Sequence, residues 1–395
     1  MAKKTIKDIS IAGKIILTRV DFNVPINKNT GSISDDSRIK ASLPTIRYLV
    51  EHKSRIILCS HLGRPDGKVV KELRMKPIAE HLSYLLELPV TPVSDCIGHE
   101  VSKAVQNLKD GTILFLENVR FYPGEVKNDT NFARELASPA DIYVNDAFGT
   151  AHRVHASTVG VAKFLPAVAG LLMETELIAM NKLLTNPVRP FACVIGGAKI
   201  SDKMSLMQNM LNKVDVMFIG GGMVATFLKA QGYNTGKSLV ENDKLEMALN
   251  LLLEANKRGI SLILPTDVAI ARDIRGDSLS HITSTSKIPS NEYIVDIGPE
   301  TIDLIPQELG NCRSIMWNGP LGIYEIPEFA KGTKAMAQFL AYTSANTVIG
   351  GGSTVEAIRE MGLVDMIDHV STGGGASLKY LEGKTLPGVE VLEDK

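Results

Sequence analysis

The sequence predicts an α/β fold of two doubly wound, Rossmann-like parallel-sheet domains joined by a linking helix and hinge. Three observations predict it. Short β-rich apolar runs recur along the chain, each ending in glycine or a polar cluster. Most are separated by stretches whose apolar residues return at helical spacing. The length, 395 residues, exceeds one typical core and implies two domains. Apolar strands without clean alternation, joined by helices, form parallel sheets covered on both faces.

In chain order the first half offers KIILTRVDF (14–22), RIILCSHLG (55–63), TILFLENVR (112–120) and DIYVNDAFG (141–149) as strands running into loops. The second half offers PFACVIGGA (190–198), DVMFIGGG (215–222), ISLILPTD (260–267), RSIMWNGP (313–320), NTVIGGGS (346–353) and HVSTGGG (369–375). Between them, Ile39, Leu43, Ile46 and Leu49 recur on one helical face, as do Met204, Met207, Leu211 and Val214. LLMETELIAMNKLL, from 171, is a continuous helical pattern with no strand beside it, closed by Asn186-Pro187. It reads as a helix linking two domains or as one more crossover in a single large sheet; size favours the link. The expected division is a first domain over 1–170, a linking helix and hinge over 171–187, a second domain over 188–378 and a closing segment over 379–395.

Apolar content of 44% with 22% charged residues is ordinary for a folded chain. A net charge of −1 gives no global field toward nucleic acid or an anionic membrane, so neither is an expected partner and any anion site is local. Cys59, Cys96, Cys193 and Cys312 are widely spaced and form no CxxC pair, the pattern of reduced core thiols. MAKKTIKDIS lacks the apolar run of a signal peptide. The most apolar stretch, 159–173, is broken by Lys163 and Pro166 and is too short to span a bilayer. A cytoplasmic location is the expectation.

Open parallel sheets bind ligands beyond the carboxyl ends of their strands. In the first half those ends carry Asp21 and Asn23, His61 and Arg64, Arg120, and Arg153 within DAFGTAHRVHAS (146–157), while Arg38 opens the helix after DDS. Guanidinium groups fork onto carboxylate or phosphate, so converging arginines suit a small polyanion. One arginine alone is better read as a surface ion pair; four at the same end of one sheet point to a site. His152 and His155 lack the HExxH spacing of a metal pair.

The second half offers mainly glycine. IGGAKISDK (195–203), IGGGM (219–223), NGPLG (318–322) and IGGGST (349–354) each close a strand. Glycine lets backbone approach a ligand, and a helix N-terminus attracts phosphate. Lys199 and Lys203, four apart, are expected on one side of the first helical turns. None of these loops is a GxGxxG fingerprint, which argues against a nicotinamide-dependent dehydrogenase. GYNTGKS (232–238) ends like a Walker loop, yet only three residues separate its glycines and helix precedes it. It reads as a glycine-ended helix followed by a surface turn. A polyanion site and a nucleotide site on separate domains predict phosphoryl transfer between two bound substrates.

RVDFNVP (19–25), SHLGRP (60–65), FLENVRF (115–121), NDAFGTAHRVHAS (145–157), GGAKISDK (196–203), IGGGMVATFLKAQG (219–232), WNGPLGIYE (317–325) and STGGGASL (371–378) run in order along the whole chain. This series resembles the signature blocks of the phosphoglycerate kinase family. The resemblance implies reversible transfer of the acyl phosphate of 1,3-bisphosphoglycerate to Mg-ADP, giving 3-phosphoglycerate and ATP in glycolysis, on closure of the domains of a monomer. It also implies that 386–395 fold back onto the first domain. By motif, Asp21, Asn23, Arg38, His61, Arg64, Arg120 and Arg153 hold the triose, and Arg38 swings toward the moving phosphoryl group. Gly197, Ala198, Lys199 and Lys203 meet the nucleotide phosphates. Gly221 and Gly222 line the base pocket, Asn318 and Glu325 reach the ribose side, and Gly351, Gly352, Ser353 and Thr354 close the phosphate end. Arg38, Lys199 and Gly352 are the implied catalytic set.

One block departs from the family. GGGST (350–354) places Ser353 where the family carries the aspartate that helps hold Mg²⁺. A hydroxyl is a weaker ligand than a carboxylate for a hard cation, although Mg²⁺ leans on waters and substrate phosphates. The expectation is a metal held by nucleotide oxygens, water and Ser353 or Thr354. The competing reading is a nucleotide- or sugar-phosphate-binding regulator that kept the fold and lost turnover.

Overall fold

The computed structural model describes residues 2–27 and 30–395. The chain divides into two compact units, Met1–Ile178 with Thr385–Lys395, and Ala179–Lys384. In the first unit six strands, β1 (Ile15–Arg19), β2 (Arg55–Cys59), β3 (Val90–Pro92), β4 (Ile113–Phe115), β5 (Ile142–Asn145) and β6 (Ala167–Ala169), form one sheet. Its order is β3-β4-β2-β1-β5-β6 and every pairing is parallel. β1, β4 and β5 each start one residue into the longer predicted runs; the carboxyl end of each run leaves the sheet as loop. β3 and β6 were not expected. Each has three residues, too few for a strand signature, and β3 includes Pro92, which fits a sheet edge.

The first core shows why these elements pair. Ile16, Ile56, Leu58, Phe115 and Val144 point from the sheet into one buried cluster with Ile39, Ile46 and Leu49 of the helix Ser37–Glu51. Leu43, predicted for the same face, is half-buried at the border of that cluster. Phe22 and Phe115 meet edge to face at 5.9 Å, a geometry worth about 1 kcal/mol beyond burial. The last residues close this unit: the Lys4 N–H donates to Glu393 O, the Glu393 N–H to Ala167 O, and the Gly388 N–H to Ala151 O.

The second unit repeats the plan with β7 (Phe191–Ile195), β8 (Val216–Ile219), β9 (Ser261–Ile263), β10 (Asp267–Ala271), β11 (His281–Ser284), β12 (Tyr293–Ile297), β13 (Ser314–Asn318), β14 (Asn346–Gly350) and β15 (His369–Val370). Six of these form a parallel sheet in the order β15-β14-β13-β7-β8-β9. Trp317 and Phe218, both fully buried, anchor its core.

A small antiparallel sheet, β11-β10-β12, was missed by the sequence reading. The run ISLILPTD, read as one strand, breaks at Pro265-Thr266: β9 stays in the parallel sheet and β10 starts the small one. Pro cannot donate to a ladder, so the strand ends before it. The helix Leu171–Thr185 contains the division between units, and β6 and β7 lie in different sheets. It is therefore not a crossover within one sheet. No helix among the described residues is long and apolar enough to cross a membrane.

Candidate active site

In the first unit, the adjacent strands β4-β2-β1-β5 bring their carboxyl ends to one edge. Asp21 and Asn23 follow β1, His61 and Arg64 follow β2, Arg120 follows β4, and Arg153 lies beyond β5. Arg64, Arg120 and Arg153 line one cavity of about 450 Å³ with Lys127 and His155. Asp21, Asn23, Arg38 and His61 join this group through hydrogen bonds and charge, not by lining that cavity. Arg38, in the first turn of its helix, donates from Nη1 to Asp21 Oδ2 at 3.3 Å and to Asn23 O at 3.1 Å. Asn23 Oδ1 accepts from the Gly63 N–H at 2.9 Å, and Gly63 O accepts from Arg120 Nη1 at 2.7 Å. Gly63 has φ +63°, and a Cβ there would stand 2.8 Å from the Leu73 side chain. A positive φ with little room for a Cβ favours glycine at this junction.

Electrostatics in this cavity are one-sided. Burial lowers the Arg120 guanidinium to about 10, helped by the charges of Arg153 and Arg19. Burial also lowers Arg153, with Arg64, Arg19 and Arg38 pushing the same way and Asp21 opposing. His61 is fully enclosed, and burial followed by the Arg19 and Arg120 charges holds it well below the usual imidazole range. Arg19 Nη2 lies 3.0 Å from His61 Nδ1. A guanidinium only donates, so Nδ1 accepts and the neutral ring carries its proton on Nε2. Arg120 Nε and Asp21 Oδ1 are buried without a hydrogen-bond partner. Such concentrated positive charge, with one guanidinium donor unused, suits a small polyanion.

Sequence reasoning missed Arg19 as a member of this group. It closes β1, is 1% exposed, and donates from Nε to Ser157 Oγ at 2.9 Å and from Nη1 to Val20 O. A lone arginine in an apolar run carries no signal that it will be enclosed. Glu125 and Ser157, both fully buried, complete the layer around it.

In the second unit the loops after β7, β8 and β13 pack on one another through bare backbone. A Cβ on Gly196 would stand 2.1 Å from Pro320 O, and one on Gly319 (φ +99°) 2.1 Å from Gly196 O. The Gly197 N–H donates to Pro320 O and the Gly221 N–H to Leu321 O, both at 3.0 Å. Part of the glycine repeat is therefore loop-on-loop packing. Beside these loops, Gly197, Ala198, Gly221, Gly222, Glu325 and Ser353 line a cavity of about 570 Å³ together with Leu239, Ile274, Tyr293 and Leu321. A cavity that mixes bare backbone with apolar side chains suits a ligand with both an anionic and an apolar part.

The lysine expectation needs correction. The helix begins only at Met204, so Lys199 and Lys203 do not share its first turns. Lys203 Nζ donates to Asn318 Oδ1, and burial lowers its ammonium pKa. Lys199 is exposed, and neither lysine lines the cavity. Asn318 is fully enclosed, with Nδ2 unpartnered. GYNTGKS, read as a surface turn, contributes more than that: Lys237 and Ser238 line the cavity, and Ser238 Oγ accepts from the Ile294 N–H at 2.8 Å. The signal was present in the lysine and serine, but only tertiary packing brings them to this wall.

Gly351, at φ +96°, turns the chain into the helix Gly352–Glu360. A Cβ on Gly352 would meet nothing within 4 Å, so the approach to this helix start is open. Ser353 is exposed in the first turn, while Thr354 is fully buried and its Oγ1 accepts from the Gly319 N–H at 2.7 Å. Thr354 is thus withdrawn as a metal ligand. No group of three or more His, Cys, Asp or Glu among the described residues has the arrangement of a cation site. Of the cavity's two carboxylates, Asp296 binds the Gly332 and Ile297 N–H groups and Glu325 stands exposed. Hard divalent cations need oxygen ligands rich in carboxylate, so this donor set does not fit a cation held by the protein itself.

The phosphoglycerate kinase family model matches residues 6–384. A phosphoglycerate kinase of Pelotomaculum thermopropionicum is 53% identical over 395 residues, covering all of both chains. The structure of phosphoglycerate kinase from Coxiella burnetii superimposes with a TM-score of 0.90 at 40% identity, covering 98% of each chain. That of Phosphoglycerate Kinase from Pyrococcus horikoshii OT3 gives 0.86 at 32% identity, covering 99% of this chain and 98% of its own. With its sequence matched from end to end and both parallel sheets reproduced, the chain belongs to the phosphoglycerate kinase family.

Proposed function

We propose that this protein catalyses the reversible transfer of the acyl phosphate of 1,3-bisphosphoglycerate to ADP, giving 3-phosphoglycerate and ATP, as a glycolytic kinase. The observation that carries the reading is the cavity lined by Arg64, Arg120 and Arg153, with positive charge concentrated beyond what its few carboxylates offset. A phosphorylated carboxylic acid matches it in size and charge. Asp21, Asn23, Arg38, His61, Arg64, Arg120 and Arg153 bind the triose. The second cavity takes the nucleotide: Gly197, Ala198, Lys199 and Lys203 toward the phosphates, Gly221 and Gly222 at the base, Asn318 and Glu325 at the ribose, and Gly351, Gly352, Ser353 and Thr354 at the phosphate end.

The acceptor in the ATP-consuming direction is a carboxylate, ionised at neutral pH, so no general base is required. The residues serve by positioning and by spreading charge over the migrating phosphoryl group. Arg38, Lys199 and Gly352 act nearest that group. His61, neutral and protonated on Nε2, is a hydrogen-bond donor and not a base. Bound with the nucleotide, magnesium would draw its ligands from phosphate oxygens and water and would offset the phosphate charge. The protein works as a cytoplasmic monomer, its two units closing about the hinge near residues 171–187 to exclude water.

A coupled assay with 3-phosphoglycerate, ATP and Mg²⁺ tests the reading, with ADP formation as the expected result. Binding of both ligands without product would instead make the chain a regulator on a kinase fold, the reading that only Ser353 favours.

A further inference from the structure

Beneath the arginine-lined cavity lies a carboxylate that the reaction does not use. Glu125 sits in the short helix Pro123–Val126 with no exposed surface. Its Oε2 accepts from the Ser157 N–H at 2.9 Å, and its Oε1 accepts from Ser157 Oγ–H at 2.7 Å. His155 Nδ1 stands 3.6 Å from Oε1. The Glu125 carbonyl also accepts from the Ala156 N–H at 2.9 Å. Ser157 Oγ in turn accepts from Arg19 Nε, and Arg19 Nη2 donates to His61 Nδ1. One buried acid thus heads two branches, one through Ser157 to Arg19 and His61, the other to His155 on the cavity wall.

We propose that Glu125 is a positioning residue of the anion cavity: it orients His155 directly, and it orients Arg19 and His61 through Ser157. The inference rests on reading this cavity as the triose site. A buried acid is costly unless its oxygens are satisfied. Burial would raise the Glu125 carboxyl, but His155 beside it, the Arg19 charge and the Ser157 hydrogen bonds outweigh that and keep it below the usual range. Kept ionised, it favours the His155 tautomer with the proton on Nδ1 and leaves Nε2 toward the cavity. It also fixes the direction of the Ser157 hydroxyl, whose proton goes to Glu125 so that its lone pair faces Arg19. That handedness decides which way the Arg19 fork points, and Arg19 decides the His61 tautomer.

The test separates position from charge. Glu125→Asp keeps the charge but shortens the reach by one methylene, and Ser157→Ala cuts the bridge to Arg19 with no charge change. Both are expected to raise KM for 3-phosphoglycerate about tenfold while KM for ATP stays within about twofold. In the free protein, ¹⁵N NMR of the imidazoles should show His155 protonated on Nδ1, and Glu125→Gln should move that proton population toward Nε2. If the variants leave the triose KM unchanged, or raise both KM values together, the inference is overturned. An unchanged His155 tautomer in Glu125→Gln overturns the direct branch and stands even if the other variants fold poorly. Arg120→Ala in parallel keeps the two readings apart. Loss of triose affinity there with none in Glu125→Asp sinks only the positioning role, whereas no loss in Arg120→Ala sinks the triose site itself.

Discussion

Asp296 offers a sharp quantitative prediction. Its side chain is 2% exposed at the end of β12, with Oδ2 accepting from the Gly332 N–H at 2.8 Å and Oδ1 from the Ile297 N–H at 2.9 Å. Gly322 and Gly332 crowd it so closely that a Cβ on either would stand 2.4 Å and 2.6 Å from Oδ1. Burial raises this carboxyl from 3.8 to about 7 despite those two N–H bonds. From about pH 5 upward the unfolded chain has lost the proton, while the folded chain keeps it until about pH 7. The folded state binds more protons across that window, so the contribution is fully present below about pH 4 and is lost as pH rises through 7. At about 1.36 kcal/mol per unit, raising the pH from about 5 to about 8 removes roughly 2–3 kcal/mol from the second unit.

Trp317 is the only tryptophan of the chain and is fully buried in β13, so its fluorescence follows unfolding of that unit. With a urea slope of about 2 kcal/mol/M, the wild-type midpoint should fall by about 1 M between those pH values. Asp296→Asn keeps the shape and one acceptor but cannot titrate, so its midpoint should be nearly flat over the same range. Parallel curves for the two proteins would refute the claim that this carboxyl holds its proton in the folded state.

If, as proposed, the Arg38 charge serves the migrating group, Arg38→Ala should lower kcat by about a hundredfold or more, with nucleotide affinity changed far less; equal losses in steady-state kinetics would contradict the assignment. Lys203→Ala removes an ammonium that the proposed function aims at the nucleotide phosphates, a charged contact worth roughly 1.5–3 kcal/mol. Calorimetry should show ATP binding weakened about tenfold to a hundredfold with 3-phosphoglycerate binding nearly intact. Ser353→Asp supplies a carboxylate at the open helix start. The Mg²⁺ concentration for half-maximal turnover should fall, and an unchanged titration would mean that the metal never approaches this position.

Much of the architecture was legible because it is local. Strand runs such as IILTR and FACVI, and helices such as Ser37–Glu51, are written in apolar spacing, which burial converts into sheet and covering layer whatever the rest of the chain does. The carboxyl-end rule then placed Asp21, Asn23, His61, Arg64 and Arg120 at one edge, because parallel strands must present the same ends together. The antiparallel sheet escaped, since β11 is short and largely exposed and β12, though buried, sets Asp296 among its apolar residues, so neither reads as a clean apolar run.

Residue types and their order along the chain therefore settled the family, the two parallel sheets and which cations gather at one mouth. Tertiary packing alone decided which polar groups are sealed from water. It enclosed Arg19 and Glu125, took Thr354 away from any metal, left Lys199 exposed and brought Lys237 to the wall of the second unit's cavity. The reason is physical: a side chain's charge state and partners depend on the desolvation imposed by residues far away in sequence, and no local pattern encodes that enclosure.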